Sequence, residues 1–224
     1  MASHDHAHST DAACDHDHGR HGHSHDLDLD GAPAGFRRVV WLIMILNAAM
    51  FVIEVFAGGL SGSMSLQADA LDFAADTVTY GLSLFALSQS ARFKSHAALI
   101  KGASLGLMGA YVLAAALWRA FVAGTPDAVT MGGVGLLALA VNCTAAVLLL
   151  KFREGDANIR SVWLCSRNDA LGNVAVLAAA AVVALTHTRW ADLGVAVIMA
   201  GLFTTSSWKI TRQALGELRA APSH

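Results

Sequence analysis

Two pairs of potential metal ligands stand four residues apart in largely apolar segments of the sequence. Asp72 and Asp76 form one pair, and Cys165 and Asp169 form the other. Residues i and i+4 of an α-helix lie on one face, one turn apart. Two such helices that face each other supply four ligands, the number that binds Zn²⁺ tetrahedrally in proteins. The spacing therefore predicts a site for a divalent transition metal, and a sulfur ligand favours such ions over Mg²⁺ or Ca²⁺.

Protons compete with the metal for the same carboxylates. Like charges in a low-dielectric cavity cannot all stay ionised, so an empty site holds protons. Metal binding needs deprotonated ligands and expels those protons, which indicates an exchange of metal for protons. Glu54 and Asp69 are further acidic residues inside apolar segments. We interpret both as residues that support the ligands or line the ion pathway.

Other interpretations of these residues stay open. Asp76 or Asp169 would form a buried salt bridge that only joins helices if Arg167 reached one of them, although the acids outnumber this one arginine. Cys165 would be an ordinary small buried side chain, as free cysteines often are. Each alternative leaves fewer ligands for a metal ion.

The composition indicates that membrane helices position these residues. Hydrophobic residues make up 55% of the 224 residues and charged residues 14%, whereas globular chains have about 25% charged residues. Six stretches approach the roughly 20 apolar residues that span a bilayer. They cover residues 39–60, 64–88, 102–123, 129–152, 161–185 and 190–210. The predicted fold class is an all-α polytopic membrane protein with six transmembrane helices in contact with lipid.

Charge and cysteine content exclude two other classes of protein. The formal net charge is −2, whereas a nucleic-acid-binding protein carries a strongly basic patch. The three cysteines lie in separate segments, so no disulfide framework is predicted.

Basic residues cluster on one side of the predicted spans. They precede the first span, lie between the second and third and between the fourth and fifth, and follow the sixth. Because cytoplasmic loops are enriched in Lys and Arg, both termini are predicted to be cytoplasmic, and no apolar segment near the N-terminus indicates a cleaved signal. We expect an integral protein of the inner or plasma membrane. Its predicted parts are a disordered tail over residues 1–36, a six-helix domain over 37–212 and a short tail over 213–224.

A histidine-rich segment precedes the first span, and its histidines are interleaved with aspartates. These histidines are His4, His6, His8, His16, His18, His21, His23 and His25. Such a segment cannot bury enough apolar surface to fold, and imidazole is a good ligand for Zn²⁺, Ni²⁺ or Cu²⁺. We interpret the segment as a collector of metal ions at the cytoplasmic entrance. The alternative is a solvated tail with incidental affinity for metals.

Two runs of sequence resemble a known family of transporters. The run from Glu54 to Asp76, EVFAGGLSGSMSLQADALDFAAD, resembles the first helical hairpin of the cation diffusion facilitator family. The run CSRNDALGN, which begins at Cys165, is similar to that family's other metal-binding helix. The resemblance implies six helices, usually a homodimer, and export of Zn²⁺ and related ions against an inward flow of protons. By position it places the transport site at Asp72, Asp76, Cys165 and Asp169.

Three features differ from that family's pattern. Cys165 stands where the family usually has histidine, which makes Cd²⁺ or Co²⁺ candidate ions beside Zn²⁺. The predicted loop 92–101 has only His96 as a potential ligand, so the family's additional metal site in this loop is expected to be missing. The family's cytoplasmic C-terminal domain is also expected to be missing. A dimer would then be held by helices, and Gly102 and Gly106 form a face of small residues that permits close packing.

The predicted function is efflux of a divalent transition metal, foremost Zn²⁺, in exchange for protons, without a catalytic cofactor. A membrane metal sensor that binds but does not transport would carry the same ligands and is the alternative. An intramembrane serine protease is disfavoured, although Gly59-Leu60-Ser61-Gly62 fits a short pattern of that class. Ser61 falls in a predicted turn, and the only candidate base, His187, lies in a predicted loop.

Overall fold

The computed structural model describes residues 35–85, 91–122, 124–152 and 157–220. Within these ranges every regular element is an α-helix, which confirms the all-α prediction. The helices are α1 (Phe36–Ser61), α2 (Met64–Phe85), α3 (Ala91–Val122), α4 (Ala128–Leu150), α5 (Ala157–Thr186) and α6 (Trp190–Ala220). The histidine-rich segment lies outside the described residues, and so does the side chain of Cys165. The predicted division into domains at residues 36 and 212 stays a prediction.

Five of these helices are long and apolar enough to cross a membrane. The remaining helix, α2, carries three aspartates within 22 residues and is therefore too polar to stand out by composition. Large apolar side chains on the outside of the bundle, among them Leu107, Phe121 and Leu185, are exposed. Such a surface is unfavourable in water and suits hydrocarbon. The chain is an integral membrane protein, as predicted.

The polar helix α2 is surrounded by other helices, which shields its aspartates from lipid. It packs against α1, α3, α5 and α6, while α3 packs most extensively on α6 and α4 on α5. Apolar side chains on α2, including Met64, Leu66 and Phe73, are buried against these neighbours. Packing with its neighbours therefore holds in place a helix whose own composition does not favour a lipid-facing position.

The ends of the helices follow ordinary capping rules. Gly62 ends α1 with a φ of 72°, a left-handed conformation that glycine adopts without steric cost. Asp127 begins α4, where its carboxylate accepts a hydrogen bond of 2.9 Å from the Thr130 amide. These two residues lie at the same end of the bundle, because the Asp127 amide donates to the Ser61 carbonyl at 2.9 Å.

Two predicted boundaries are wrong by about three turns of helix. α3 begins at Ala91, so residues 92–101 are helical and do not form the predicted loop. α6 continues to Ala220, ten residues beyond the predicted span. An apolar stretch marks the part of a helix that lies in hydrocarbon, whereas intrahelical hydrogen bonds continue into the polar flanks.

The face of small residues on α3 packs inside the chain. A Cβ atom built on Gly102 would lie 2.5 Å from Thr211 Oγ1 of α6, and one on Gly106 would lie 2.8 Å from Ser207 Oγ. The Ser207 hydroxyl also donates to the Gly102 carbonyl at 2.6 Å. The hypothesis that Gly102 and Gly106 are available to a second copy is therefore wrong, since α6 of the same chain occupies this face.

Candidate metal site

Three aspartates of α2 lie on the side of the helix that faces the bundle interior. Asp69 is 2% exposed and Asp76 is 7% exposed, while Asp72 is partly buried. Burial of three carboxyl groups on one helix is unfavourable unless a cation, a proton or a hydrogen-bond donor compensates each one. Whether a cation, a proton or a hydrogen-bond donor compensates each aspartate depends on the side chains of the neighbouring helices.

The helix α5 brings a fourth carboxyl group to this region. Asp169 is partly buried and interacts electrostatically with Asp76 and Asp72. Asn173, one turn further along α5, is fully buried, and its side-chain amide donates to the Asp169 carbonyl at 2.9 Å. Carboxyl groups of α2 and α5 thus lie together in the interior of the bundle.

The structure describes the side chains of three of the four predicted ligands. Among the residues that the structure describes, no group of three His, Cys, Asp or Glu side chains is arranged as a ready metal site. Asp72, Asp76 and Asp169 are all described, so these three side chains do not form such a group. The side chain of Cys165 lies outside the described residues, although its backbone lies in α5 one turn before Asp169. The assignment of Asp72, Asp76, Cys165 and Asp169 as ligands remains a prediction.

Glu54 hydrogen-bonds to Asp69 and Asp169 to Asp76, which needs a proton on one carboxyl group of each pair, but several buried carboxyl oxygens in this region have no N–H or hydroxyl partner within the described ranges. They are both oxygens of Glu54 together with Asp69 Oδ2 and Asp169 Oδ2. Buried polar atoms in proteins are nearly always hydrogen-bonded, and exceptions call for a functional explanation. Oxygen atoms that accept nothing from an N–H or hydroxyl group are free to bind a cation or to carry a proton, so the donor set fits a transported metal ion.

Glu54 extends the acidic region onto α1. Its side chain is fully buried, and it interacts electrostatically with Asp69 and Asp72. The sequence predicted that Glu54 and Asp69 support the ligands or line the pathway. The structure places them next to each other and beside Asp72, and their role stays a prediction.

Lys101 is a residue of this site that the sequence argument missed. It is 6% exposed and interacts electrostatically with Asp76. It was predicted to lie in a basic loop, because the apolar stretch of α3 begins after it. The residues on both sides of Lys101 in the sequence are apolar, and this pattern would have placed Lys101 inside the span. The apolar span of α3 begins at Ser95.

Arg167 does not take part in the acidic cluster as the salt-bridge interpretation required. Its side chain is exposed, and its guanidinium carbon lies 5.5 Å from the centre of the Trp163 ring. A cation over an aromatic ring is stabilised there without a carboxylate. The interpretation of Asp76 or Asp169 as partners of Arg167 is therefore not supported by the structure.

Comparison with known proteins decides the family. The model of the cation efflux transmembrane domain matches residues 40–218, which is most of the chain. The chain belongs to the cation efflux family. The match includes all the acidic residues described above, and it confirms the resemblance to cation diffusion facilitators.

Similar proteins in this family are bacterial metal transporters. The chain is 26% identical over 195 residues to the cadmium, cobalt and zinc/H(+)-K(+) antiporter of Bacillus velezensis, which covers 80% of the chain and 62% of that protein. It is 25% identical over 198 residues to the metal cation efflux system protein CzcD of Cupriavidus metallidurans, covering 83% of the chain and 63% of that protein. It is 28% identical over 191 residues to the zinc transporter ZitB of Pectobacterium atrosepticum, covering 78% and 58%.

The aligned part of the chain spans about three fifths of the length of these relatives. The relatives are transporters by name, and this cation efflux family member has five apolar spans beside the acidic helix α2. These two findings confirm the predicted localisation as an integral plasma membrane protein.

Proposed function

We propose that this cation efflux family member exports a divalent transition-metal ion in exchange for protons. The observation that carries the proposal is the group of buried carboxyl oxygens between α1, α2 and α5 that have no N–H or hydroxyl partner in the described part of the chain. Ionisable side chains in a membrane interior are energetically costly, and they mark functional sites. Binding and releasing cations is such a function.

The proposed ligands are Asp72 and Asp76 on α2 with Cys165 and Asp169 on α5. Three carboxylates and a thiolate satisfy the four-coordinate geometry of Zn²⁺. The electrostatic interaction of Asp169 with Asp76 and Asp72 supports this set, because it shows that the two helices present their acidic groups to each other. Glu54 and Asp69 adjoin the ligands and provide further acidic groups along the path of the ion.

Proton exchange follows from the competition of metal and protons for the same oxygens. A carboxyl group that binds metal gives up its proton, and a carboxylate that releases metal takes one up again. If loading and release occur on opposite sides of the membrane, protons move opposite to the metal. The name of the Bacillus velezensis relative, a cadmium, cobalt and zinc/H(+)-K(+) antiporter, supports this direction of coupling.

The ion is proposed to be Zn²⁺, with Cd²⁺ and Co²⁺ as further substrates. The names of the similar proteins include all three ions. A thiolate at Cys165 favours softer ions than carboxylates alone. We expect Cys165→His to keep transport and to lower the ratio of Cd²⁺ to Zn²⁺ flux, whereas unchanged fluxes of both ions in Cys165→Ala would show that the sulfur is not a ligand.

Three further properties of the protein are proposed: its orientation in the membrane, its oligomeric state and the role of its histidine-rich segment. We propose cytoplasmic termini from the distribution of basic residues, and a homodimer from the resemblance to the family. We also propose that the histidine-rich segment raises the metal concentration near the entrance. Deletion of residues 1–30 should then weaken metal resistance of cells without abolishing transport, and complete loss of flux at normal expression would contradict a collecting role.

The direct test of this function uses the full chain in sealed vesicles. Metal uptake is measured for Zn²⁺, Cd²⁺, Co²⁺, Mg²⁺ and Ca²⁺ while a dye reports the internal pH. We expect uptake of the transition metals, accompanied by proton movement in the opposite direction and absent in Asp169→Asn. Binding of Zn²⁺ without uptake would identify a sensor, and uptake without any pH change would overturn proton exchange.

A further inference from the structure

One carboxylate of the bundle lies outside the acidic region and accepts hydrogen bonds at both of its oxygens. Asp192, in the first turn of α6, is 1% exposed. Its Oδ1 atom accepts hydrogen bonds from Ser63 Oγ at 2.6 Å and from the amide and hydroxyl of Ser65 at 2.9 and 2.6 Å. Its Oδ2 atom accepts from the Met64 amide at 2.8 Å. These four bonds, here called the Asp192 contact, join the beginning of α6 to the beginning of α2.

The start of α2 is capped both from its own sequence and from Asp192. Ser63 directly precedes the helix, and its hydroxyl oxygen accepts a hydrogen bond of 3.0 Å from the Leu66 amide. This is the ordinary serine cap of a helix, made within the local sequence. Asp192 instead binds the two amides before Leu66, and it does so from another helix. Because it satisfies these first-turn amides from α6, it holds α2 against α6 as well as capping it.

Other hydrogen bonds connect the turns at the same end of the bundle. The guanidinium of Arg119, in the last turn of α3, donates to the Gly62 carbonyl. The Thr125 hydroxyl, before α4, donates to the carbonyl of His187, between α5 and α6, at 3.1 Å. The turns α1–α2, α3–α4 and α5–α6 are thus tied together, and the Asp192 contact is the most extensively hydrogen-bonded connection among them.

The position of this contact on α2 relates it to the metal site. Ser65 and Asp72 are seven residues apart on one helix, a rise of about 10 Å at 1.5 Å per residue. A transporter that releases its ion at the end with these turns must separate helices there, while loading from the other end requires them to be closed. Separation of α2 from α6 breaks all four bonds of the Asp192 contact.

We propose that Asp192 is a positioning residue that keeps this end of the bundle closed while the metal site loads, and that its contact opens in each transport cycle. The proposal rests on the proposed export function. It predicts that weakening the contact reduces the fraction of protein that is competent to load. An apparent affinity falls in proportion to that fraction.

The first experiment measures Zn²⁺ flux in vesicles for the wild type, Asp192→Asn and the matched control Asp127→Asn. Asp127 caps only its own helix at the same end of the bundle and is exposed. We expect KM for Zn²⁺ to rise about 10-fold or more in Asp192→Asn, with the maximal rate preserved or increased, because bonds to a charged acceptor are lost. A lower maximal rate at unchanged KM is the result of a purely structural role and overturns the proposal.

The second experiment measures hydrogen exchange of single amides in the full chain without metal. In Asp192→Asn we expect faster exchange at Met64 and Ser65, whose amides bind Asp192, and unchanged exchange at Leu66, whose amide binds Ser63. Equal acceleration of all three amides would mean that the start of α2 unfolds, which contradicts a role confined to the contact. Absence of flux in the wild type would overturn the proposed function, whereas wild-type flux with an unchanged KM in the variant overturns the role of Asp192.

Discussion

Buried carboxyl groups occur in two regions of this bundle, and their surroundings are opposite. At the end with the turns, Asp192 accepts four hydrogen bonds from Ser63, Met64 and Ser65. In the interior, Glu54, Asp69 and Asp169 have oxygen atoms without an N–H or hydroxyl partner among the described residues, and their hydrogen bonds are to other carboxyl groups. A satisfied carboxylate stabilises one arrangement of helices. An unsatisfied one keeps its affinity for a cation.

The difference shows how one protein combines a stable bundle with a reactive interior. Each hydrogen bond to a charged group contributes about 1.5–3 kcal/mol, and each buried group left without a partner costs a similar amount. The acidic interior therefore destabilises the bundle. Close packing of α3 on α6 and the Asp192 contact stabilise it elsewhere.

The interior carboxylates should be indispensable for transport. Even residues that only support a metal ligand cost about 10–100-fold in metal affinity or activity when they are changed, so Asp76→Ala and Asp169→Ala should each lower Zn²⁺ flux by more than about 100-fold. Each substitution removes a ligand and a proton carrier together. The measurement is uptake into vesicles at equal protein content, with Asp127→Ala as the control that keeps its flux. Flux above a tenth of the wild-type value in Asp76→Ala would remove Asp76 from the ligand set.

The buried cation beside the acidic cluster should contribute to the stability of the fold. Lys101 interacts with Asp76 inside the bundle, so Lys101→Met removes a compensating charge. We expect a lower free energy of unfolding than in the wild type, measured by thermal denaturation in detergent. Arg37→Met is the control, because Arg37 is exposed and its removal should have little effect. Equal melting temperatures for both variants would show that Lys101 does not compensate Asp76.

The close contact of α3 and α6 should tolerate no added volume. A Cβ atom on Gly102 would approach Thr211 Oγ1 to 2.5 Å, so we expect Gly102→Ala to destabilise the bundle. The expected cost is about 1–3 kcal/mol, as for other overpacked sites. Gly201→Ala is the matched control within α6, where nothing lies within 4 Å of the added atom. It should be neutral or stabilising by up to about 1 kcal/mol. Identical melting temperatures of the two variants would contradict the packing described for α3.

The exposed Asp127 cap of α4 should contribute little to the stability of the fold, and its contribution should depend on pH. Hydrogen bonds from the Thr130 side chain and amide hold the pKa of Asp127 below its ordinary value of 3.8. A carboxyl group whose pKa is lowered by folding stabilises the fold above the unfolded pKa, and this contribution disappears as the pH falls through the folded pKa. Asp127→Ala should therefore melt slightly below the wild type at pH 7, and the difference should vanish in strong acid. A difference that grows on acidification would contradict this sign.

The sequence was sufficient to predict the helices and the location of the acidic region. Long apolar stretches predict the helices, because a membrane permits few structures other than helices. The i,i+4 spacing of Asp72 and Asp76 predicts that acidic side chains share one helix face. The start of α3 was predicted too late, since hydropathy reports the hydrocarbon span and not the helix. Lys101 was consequently missed as a neighbour of Asp76.

The Asp192 contact was not predicted from the sequence either. Asp192 lies near the start of the predicted sixth span, where an acidic side chain at the membrane edge needs no partner inside the bundle. Its partners Met64 and Ser65 lie 128 and 127 positions earlier in the chain, and nothing in the local pattern around either segment indicates that they meet. The packing of Gly102 on α6 was likewise misinterpreted, because a face of small residues does not reveal which helix covers it.

Proton release on metal binding shows whether the interior carboxyl groups exchange protons for the metal ion. Zn²⁺ is added to the purified full chain in weakly buffered detergent solution, and the protons released per bound ion are counted for the wild type and for Asp169→Asn. The histidine-rich segment is the same in both proteins, so its contribution cancels in the difference. We expect more protons released per ion, and tighter Zn²⁺ binding, in the wild type than in Asp169→Asn. Equal proton release and equal affinity in the two proteins would show that Asp169 neither binds the metal nor exchanges a proton for it.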